Sequence, residues 1–289
     1  MKKIYFAFIL SVLCFQTFAQ TKSFNRVRAY DVQNYTIRLN FDRATKTVFG
    51  DTTIQLKPLK PNFSTVELDA AGMKYESVRM ENSNGSGMNL KYRQTGEKLI
   101  VTLDKSYSPD ELISFRVKYS CRPTKGIYFV GATDEHSAQI WTQGEPEEAH
   151  HWFPSYDFPD DKATTEQFLT VEKEETVIAN GEHINTSENS DGTKTVHYKM
   201  NVPHSTYLTS FVIGKYVRIE DKYRDIPLGF YVYPGRESIV PKAYGKTKDM
   251  FRIFEEMFEI PYPYNKYDQT IVARAGDVRP LETPATPPP

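Results

Sequence analysis

Six histidines, His136, His150, His151, His183, His197 and His204, are the residues whose type could hold a metal. A hydrolytic zinc helix needs two His one turn apart with a Glu between them as general base. None of the six is followed by Glu and a second His at that spacing, and the reversed pattern is also missing. There is no phosphate-binding Gly loop and no Gly-x-Ser-x-Gly elbow. His150-His151 is the nearest approach to a metal pair, but neighbours on a strand point to opposite faces, so they read as packed or solvated imidazoles. Gln143 and Glu145 stand two residues apart, with Glu147 and Glu148 just beyond. On residue type alone this is a solvated acidic loop. The residues therefore give no catalytic group and no metal ligand.

The elements around these residues read as strands. Tyr35, Ile37, Leu39 and Phe41 alternate with Thr36, Arg38, Asn40 and Asp42, the period of two that buries one face. Similar runs lie at Val48–Leu56, Tyr75–Met80, Leu99–Leu103, Ile113–Tyr119, Phe168–Glu172, Thr195–Met200 and Leu208–Val217. Turn clusters separate them at Asn82–Gly87, Thr95–Glu97 and Asn189–Gly192. Many short strands at near-regular spacing predict an antiparallel sandwich or saddle over residues 24–225.

After Asp225 the pattern changes. Leu228–Tyr233 is one more strand, then a helix is expected over Pro241–Glu259. Met250, Phe251, Phe254, Met257 and Phe258 form its apolar stripe against a charged face. Asp268–Val272 begins a further strand, so residues 226–272 read as the start of an α/β domain, too short to close a core of its own. Residues 273–289 are Pro-rich, with four prolines in the last six positions, and are expected to be disordered.

Composition fits a globular sheet protein: 39% hydrophobic and 13% aromatic residues, with 19 Tyr and 18 Phe. The 289 residues admit about two domains. Lys plus Arg number 36 against 37 acidic residues, which gives nucleic acid no attraction. Residues 1–19 read as a signal peptide: Lys2 and Lys3, then an apolar run from Ile4 to Phe15, then Ala19 before the cleavage point. That run is shorter than the ~20 residues of a membrane span. Export to the periplasm or the extracellular space is expected, with no span left after cleavage. Cleavage would also remove Cys14 and leave Cys121 unable to form an internal disulfide.

Five ordered pieces carry a resemblance. They are Gln143-Gly144-Glu145 with Phe153-Pro154-Ser155-Tyr156-Asp157 and Pro159; Asn180-Gly181-Glu182; Ser205-Thr206-Tyr207-Leu208; Gly214-Lys215-Tyr216; and Tyr262-Pro263 with Lys266-Tyr267-Asp268-Gln269. Together they resemble the N-terminal portion of the gluzincin zinc aminopeptidases, the aminopeptidase N and leukotriene hydrolase family. The resemblance implies a mainly β N-terminal domain followed by a thermolysin-like catalytic domain. It implies peptide substrates with a free N-terminus and a zinc ion that activates water. In that family the Gln and Glu of Gln-x-Glu face the active-site cleft, and they map to Gln143 and Glu145. A carboxylate there accepts hydrogen bonds from the substrate's α-ammonium group, which limits cleavage to the first peptide bond. The family's Gly-x-Met-Glu-Asn loop and His-Glu-x-x-His helix do not occur in this chain, and Ala273–Pro289 departs from the pattern, as an interrupted reading frame would. The chain alone is thus expected to bind no zinc and to be inactive. Phe153, Pro154, Tyr156, Asp157 and Pro159 read as structural. The competing class is a non-catalytic exported β-sandwich that binds peptide or glycan.

Overall fold

The computed structural model describes residues 26–81 and 87–274. The leader, most of the Asn82–Gly87 turn and nearly all of the Pro-rich tail lie outside these residues. The strands are β1 (Tyr30–Asp42), β2 (Thr47–Pro58), β3 (Phe63–Asp69), β4 (Met73–Met80), β5 (Lys91–Thr95) and β6 (Lys98–Tyr107). Then come β7 (Ile113–Cys121), β8 (Ile127–Val130), β9 (Gln139–Thr142), β10 (Ala163–Glu172), β11 (Thr176–Ala179) and β12 (Glu182–Glu188). The series ends with β13 (Thr193–His204), β14 (Phe211–Gly214), β15 (Val217–Tyr223), β16 (Ile226–Val232) and β17 (Tyr267–Thr270). Two helices, α1 (Val240–Tyr244) and α2 (Thr247–Phe258), separate β16 from β17.

A seven-stranded sheet runs β12-β13-β10-β1-β2-β7-β4, and the four-stranded β11-β14-β9-β8 and three-stranded β3-β6-β5 sheets share its core. The alternation read in Tyr35–Phe41 has this cause: Tyr35, Ile37 and Leu39 are fully buried, and their neighbours line the outer face. The sheet is not wholly antiparallel, because β1 and β10 run parallel, with Asn34 through Leu39 facing Thr164 through Leu169. The mainly β, multi-sheet sandwich expected from the sequence is the observed architecture.

Three local expectations are corrected. Leu208–Val217 is not one strand: a 3₁₀ turn at Thr206–Leu208 precedes β14, which stops at Gly214, and a new strand starts at Val217. The helix expected over Pro241–Glu259 is broken. Gly245 ends α1, and the Thr247 hydroxyl donates to the Tyr244 carbonyl, taking up an acceptor that a continuous helix would use. Residues 217–270 also close a small core of their own. The sheet β15-β16-β17 packs Leu228, Phe230 and Val232 against Val240, Tyr244 and Phe251. Asp225 falls in the turn between β15 and β16, two partners of this sheet.

Candidate functional site

Strand β9 sets the position of the candidate residues. All four of its residues are buried, held between β8 and β14, and Trp141 stacks on Tyr128 with ring centroids 4.6 Å apart. Past Thr142 the chain leaves the sheet in a tight turn. The Gln143 amide donates to the Gly126 carbonyl at 3.0 Å, and the Glu148 amide donates to the Gly144 carbonyl at 2.8 Å. Gly144 has to be glycine. A Cβ there would sit 2.4 Å from the Tyr207 carbonyl oxygen and 2.9 Å from its Cα, and both are backbone atoms that cannot swing away. The result is a turn with a buried base and an open tip. Gln143 is half-buried and Glu145 is exposed, and the Gln143 Nε2 donates to Glu145 Oε2 at 3.4 Å. The structure therefore brings the two sequence-predicted residues together, side by side at the end of a buried strand.

The segment that follows anchors the turn. Ala149–His151 is a 3₁₀ turn and not a strand, so the argument that the two imidazoles diverge fails. Their rings lie against each other, centroids 4.4 Å apart. His150 is committed to Asp157: its backbone amide and its Nδ1 contact Asp157 Oδ2 at 3.1 and 2.7 Å. Asp157 also accepts from the Thr206 hydroxyl at 2.7 Å, and its own amide donates to Asp69 Oδ2 at 2.9 Å. Asp69 in turn is paired with Arg26 and Lys98, each at 2.5 Å. Burial opposes charge on Asp69, but its hydrogen bonds from Arg26 and Lys98 prevail and hold its pKa below the usual carboxylate value. Burial likewise opposes protonation of His150, yet Asp157 outweighs it and raises the imidazole pKa. For His151, burial and then the neighbouring His150 charge lower it. Trp152 and Phe153 are fully buried, so the Phe-Pro-Ser-Tyr-Asp stretch is a structural anchor, as its composition suggests.

Two features escape sequence reasoning. Asp69 sits at the end of an unremarkable strand, and nothing in its neighbourhood of sequence marks it as a hub. The second is the return of the chain after β17. The Ala273 amide donates to Gln139 Oε1 at 2.9 Å, and the Trp141 Nε1 donates to the Ala273 carbonyl at 3.1 Å. The last described residues thus run beside β9, next to the strand that presents Gln143. Among the described residues no group of three His, Cys, Asp or Glu side chains could hold a metal ion.

The arrangement offers a carboxylate and a carboxamide on a fixed turn, open to solvent. It can grip a cationic or hydrogen-bonding group.

Comparison with known proteins gives the family and the fold of this chain. The model of the Peptidase M1 N-terminal domain matches residues 31–208. A protein named probable aminopeptidase 1 from Sulfurisphaera tokodaii is 30% identical over 82% of this chain and 28% of its own length. Glutamyl aminopeptidase of Mus musculus is 30% identical over 47% of this chain and 14% of its own. The chain therefore spans less than a third of the length of these curated relatives. Among solved structures, an M1 zinc metallopeptidase from Deinococcus radiodurans shares the fold with a TM-score of 0.73 at 23% identity, over 90% of this chain and 59% of that one. A variant of that enzyme bound to a Tyr-Ser-Ala substrate gives 0.74, also at 23% identity.

Proposed function

The chain belongs to the M1 peptidase family through its N-terminal domain, and from that premise we propose that it is the substrate-anchoring wall of an exported zinc aminopeptidase. The single observation that carries the reading is the pair Gln143 and Glu145, held together on a turn whose base is locked by Gly144 against Tyr207. Glu145 accepts the α-ammonium group of a peptide, and Gln143 orients the first residue's backbone. That contact fixes the register of the peptide, so that only its first bond reaches the hydrolytic centre.

The return of Ala273 beside Gln139 and Trp141 supports the same reading. It starts the following sequence next to the turn, where the rest of the cleft would be needed. The zinc ligands belong to the length that relatives carry beyond this region. By itself this chain binds no catalytic zinc and hydrolyses no aminoacyl substrate, because no His-Glu-x-x-His occurs in its sequence. The apolar start of the sequence, Ile4 to Phe15 behind two lysines, supports export.

The test joins this chain to the downstream region of an M1 relative and measures release of an aminoacyl amide. Activity should appear with the joined protein and not with the chain alone. Glu145→Ala should then raise KM and lower kcat/KM by about tenfold to a hundredfold, the range for losing a charge-assisted contact of ~1.5–3 kcal/mol. Unchanged kinetics in the Glu145 variant would sink the anchoring role. Zinc-dependent turnover by the unjoined chain would sink the inactivity.

A further inference from the structure

A cavity of about 780 Å³ lies away from this turn, on the outer face of the seven-stranded sheet. Its floor is built from two rows of side chains that run across the strands. One row is Thr195 and Thr170, which are register partners on β13 and β10, then Asn40, Phe49, Ser120 and Lys74, successive partners across β1, β2, β7 and β4. The adjacent row places His197, Phe168 and Arg38 side by side. Phe168 stacks on His197 with centroids 4.0 Å apart at 13°, and the Arg38 guanidinium lies 4.8 Å from the Phe168 centroid.

Three properties of this floor point to one kind of ligand. Phe49 is 46% exposed, and its lateral partners Asn40 and Ser120 are small and polar, so its ring is open to stacking. Hydroxyl and carboxamide groups flank it, spaced across strands that stand about 4.8 Å apart. The two carboxylates of the cavity are already engaged, Asp51 by Arg116 and Glu76 by Lys118, and neither Arg38 nor Lys74 has an ion-pair partner among the described residues. Phe49 and Arg38 stand on β2 and β1, interior strands whose two edges are both already paired, and of the floor residues only Lys74 lies on an edge strand, β4. An extended peptide gains most of its affinity by pairing its backbone to an edge, so it has little to hold here. A sugar chain needs an aromatic plane, hydroxyl partners and, where it carries carboxylates, unpaired cations. We infer that this face binds an acidic oligosaccharide, laid across the strands over Phe49 with its carboxylates toward Arg38 and Lys74. The inference stands apart from the peptide-anchoring role of Glu145.

Calorimetric titration of the full chain tests it with three probes: a hexamer of galacturonate, neutral maltohexaose and hexaglutamate. The galacturonate hexamer should bind at least about tenfold more tightly than either of the others, a gap of one decade in Kd. Its affinity should fall as salt rises, since ion pairs at an open face are screened. Phe49→Ala and Arg38→Gln should each weaken it by about tenfold while leaving the unfolding midpoint in place, because neither side chain belongs to the core. No binding of galacturonate overturns the inference. So does equal binding of maltohexaose or hexaglutamate, or an affinity that both variants leave unchanged in a folded protein.

Discussion

The Thr206 hydroxyl donates to Asp157 at 2.7 Å across 49 residues of chain, and the next residue, Tyr207, is the one whose backbone packs on Gly144. One buried carboxylate thus reaches both sides of the candidate turn. It holds Tyr207 through Thr206, and it holds the end of the turn through His150. Removing the carboxylate strands an imidazole and a hydroxyl in a buried site. Asp157→Ala should cost about 3–5 kcal/mol, the usual penalty for breaking a buried charged network from one side. Thr206→Val should cost only about 1 kcal/mol, a single hydrogen bond. In the double variant the second change should add almost nothing, because the partner is already gone. Urea unfolding of the three variants measures this, and strict additivity would refute the shared hub.

This hub marks where sequence reasoning reached and where it stopped. The period-two runs around Ile37, Ile54 and Val117 were legible because burial of one sheet face imposes them residue by residue. Gln143 and Glu145 were legible only through their resemblance to a family pattern, since two polar residues on an acidic loop carry no local signal. Asp69 and the pairing of Ala273 with Gln139 were not legible at all. Both depend on contacts made across long stretches of chain, 88 residues from Asp69 to Asp157 and 134 from Gln139 to Ala273, and no local periodicity encodes them. The break at Gly245 was missed for another reason. The apolar stripe from Met250 to Phe258 lies wholly beyond it, and the break is set by Gly245 as the cap of α1 and by the Thr247 hydroxyl on the Tyr244 carbonyl.

The turn itself can be tested at Gly144. Adding one methyl group places a Cβ 2.4 Å from the Tyr207 carbonyl oxygen, so backbone must move. Gly144→Ala should destabilise the protein by about 1–3 kcal/mol, the cost of overpacking a tight site. Gly131→Ala is the matched control, for a Cβ there meets nothing within 4 Å. Thermal unfolding of the pair decides it: equal midpoints would mean that the Gly144 contact does not constrain the turn.

Acid should weaken the fold through His204. Burial pushes this imidazole down to about 4, while its Nδ1 lies 3.0 Å from the Val202 carbonyl. A histidine with a lowered folded value binds its proton more readily when unfolded. Its contribution is therefore complete above about 6.5 and is lost as pH falls from there toward 4, amounting to roughly 3 kcal/mol. His150 has the opposite sign. Its raised value stabilises the fold below about 6.5, and that contribution fades as pH rises through its folded value. Unfolding free energies from pH 4 to 8 check both signs. His204→Gln should flatten the acid limb, and His150→Gln should flatten the alkaline one. A His204 variant with the wild-type acid slope would show that this imidazole is not what acid attacks.

The outer face of α2 makes the last prediction. Only Phe251 of its apolar stripe is buried, set against Tyr223, Tyr262 and Tyr267, while Met250, Phe254, Met257 and Phe258 are between 54 and 65% exposed. Four large apolar side chains on one helix face form a patch of the kind that normally meets a partner surface. In the isolated chain the patch should bind a hydrophobic dye and drive association that grows with concentration. Phe254→Lys with Met257→Glu should suppress both and leave the unfolding midpoint nearly unchanged, since surface changes away from packed contacts stay within about 0.5 kcal/mol. Phe251→Ala should do the reverse: it should cost about 3–5 kcal/mol of stability without reducing association. Dye fluorescence and sedimentation, measured beside thermal unfolding, separate the two faces. If the double variant unfolds early instead, the stripe is part of the core and the face is not free.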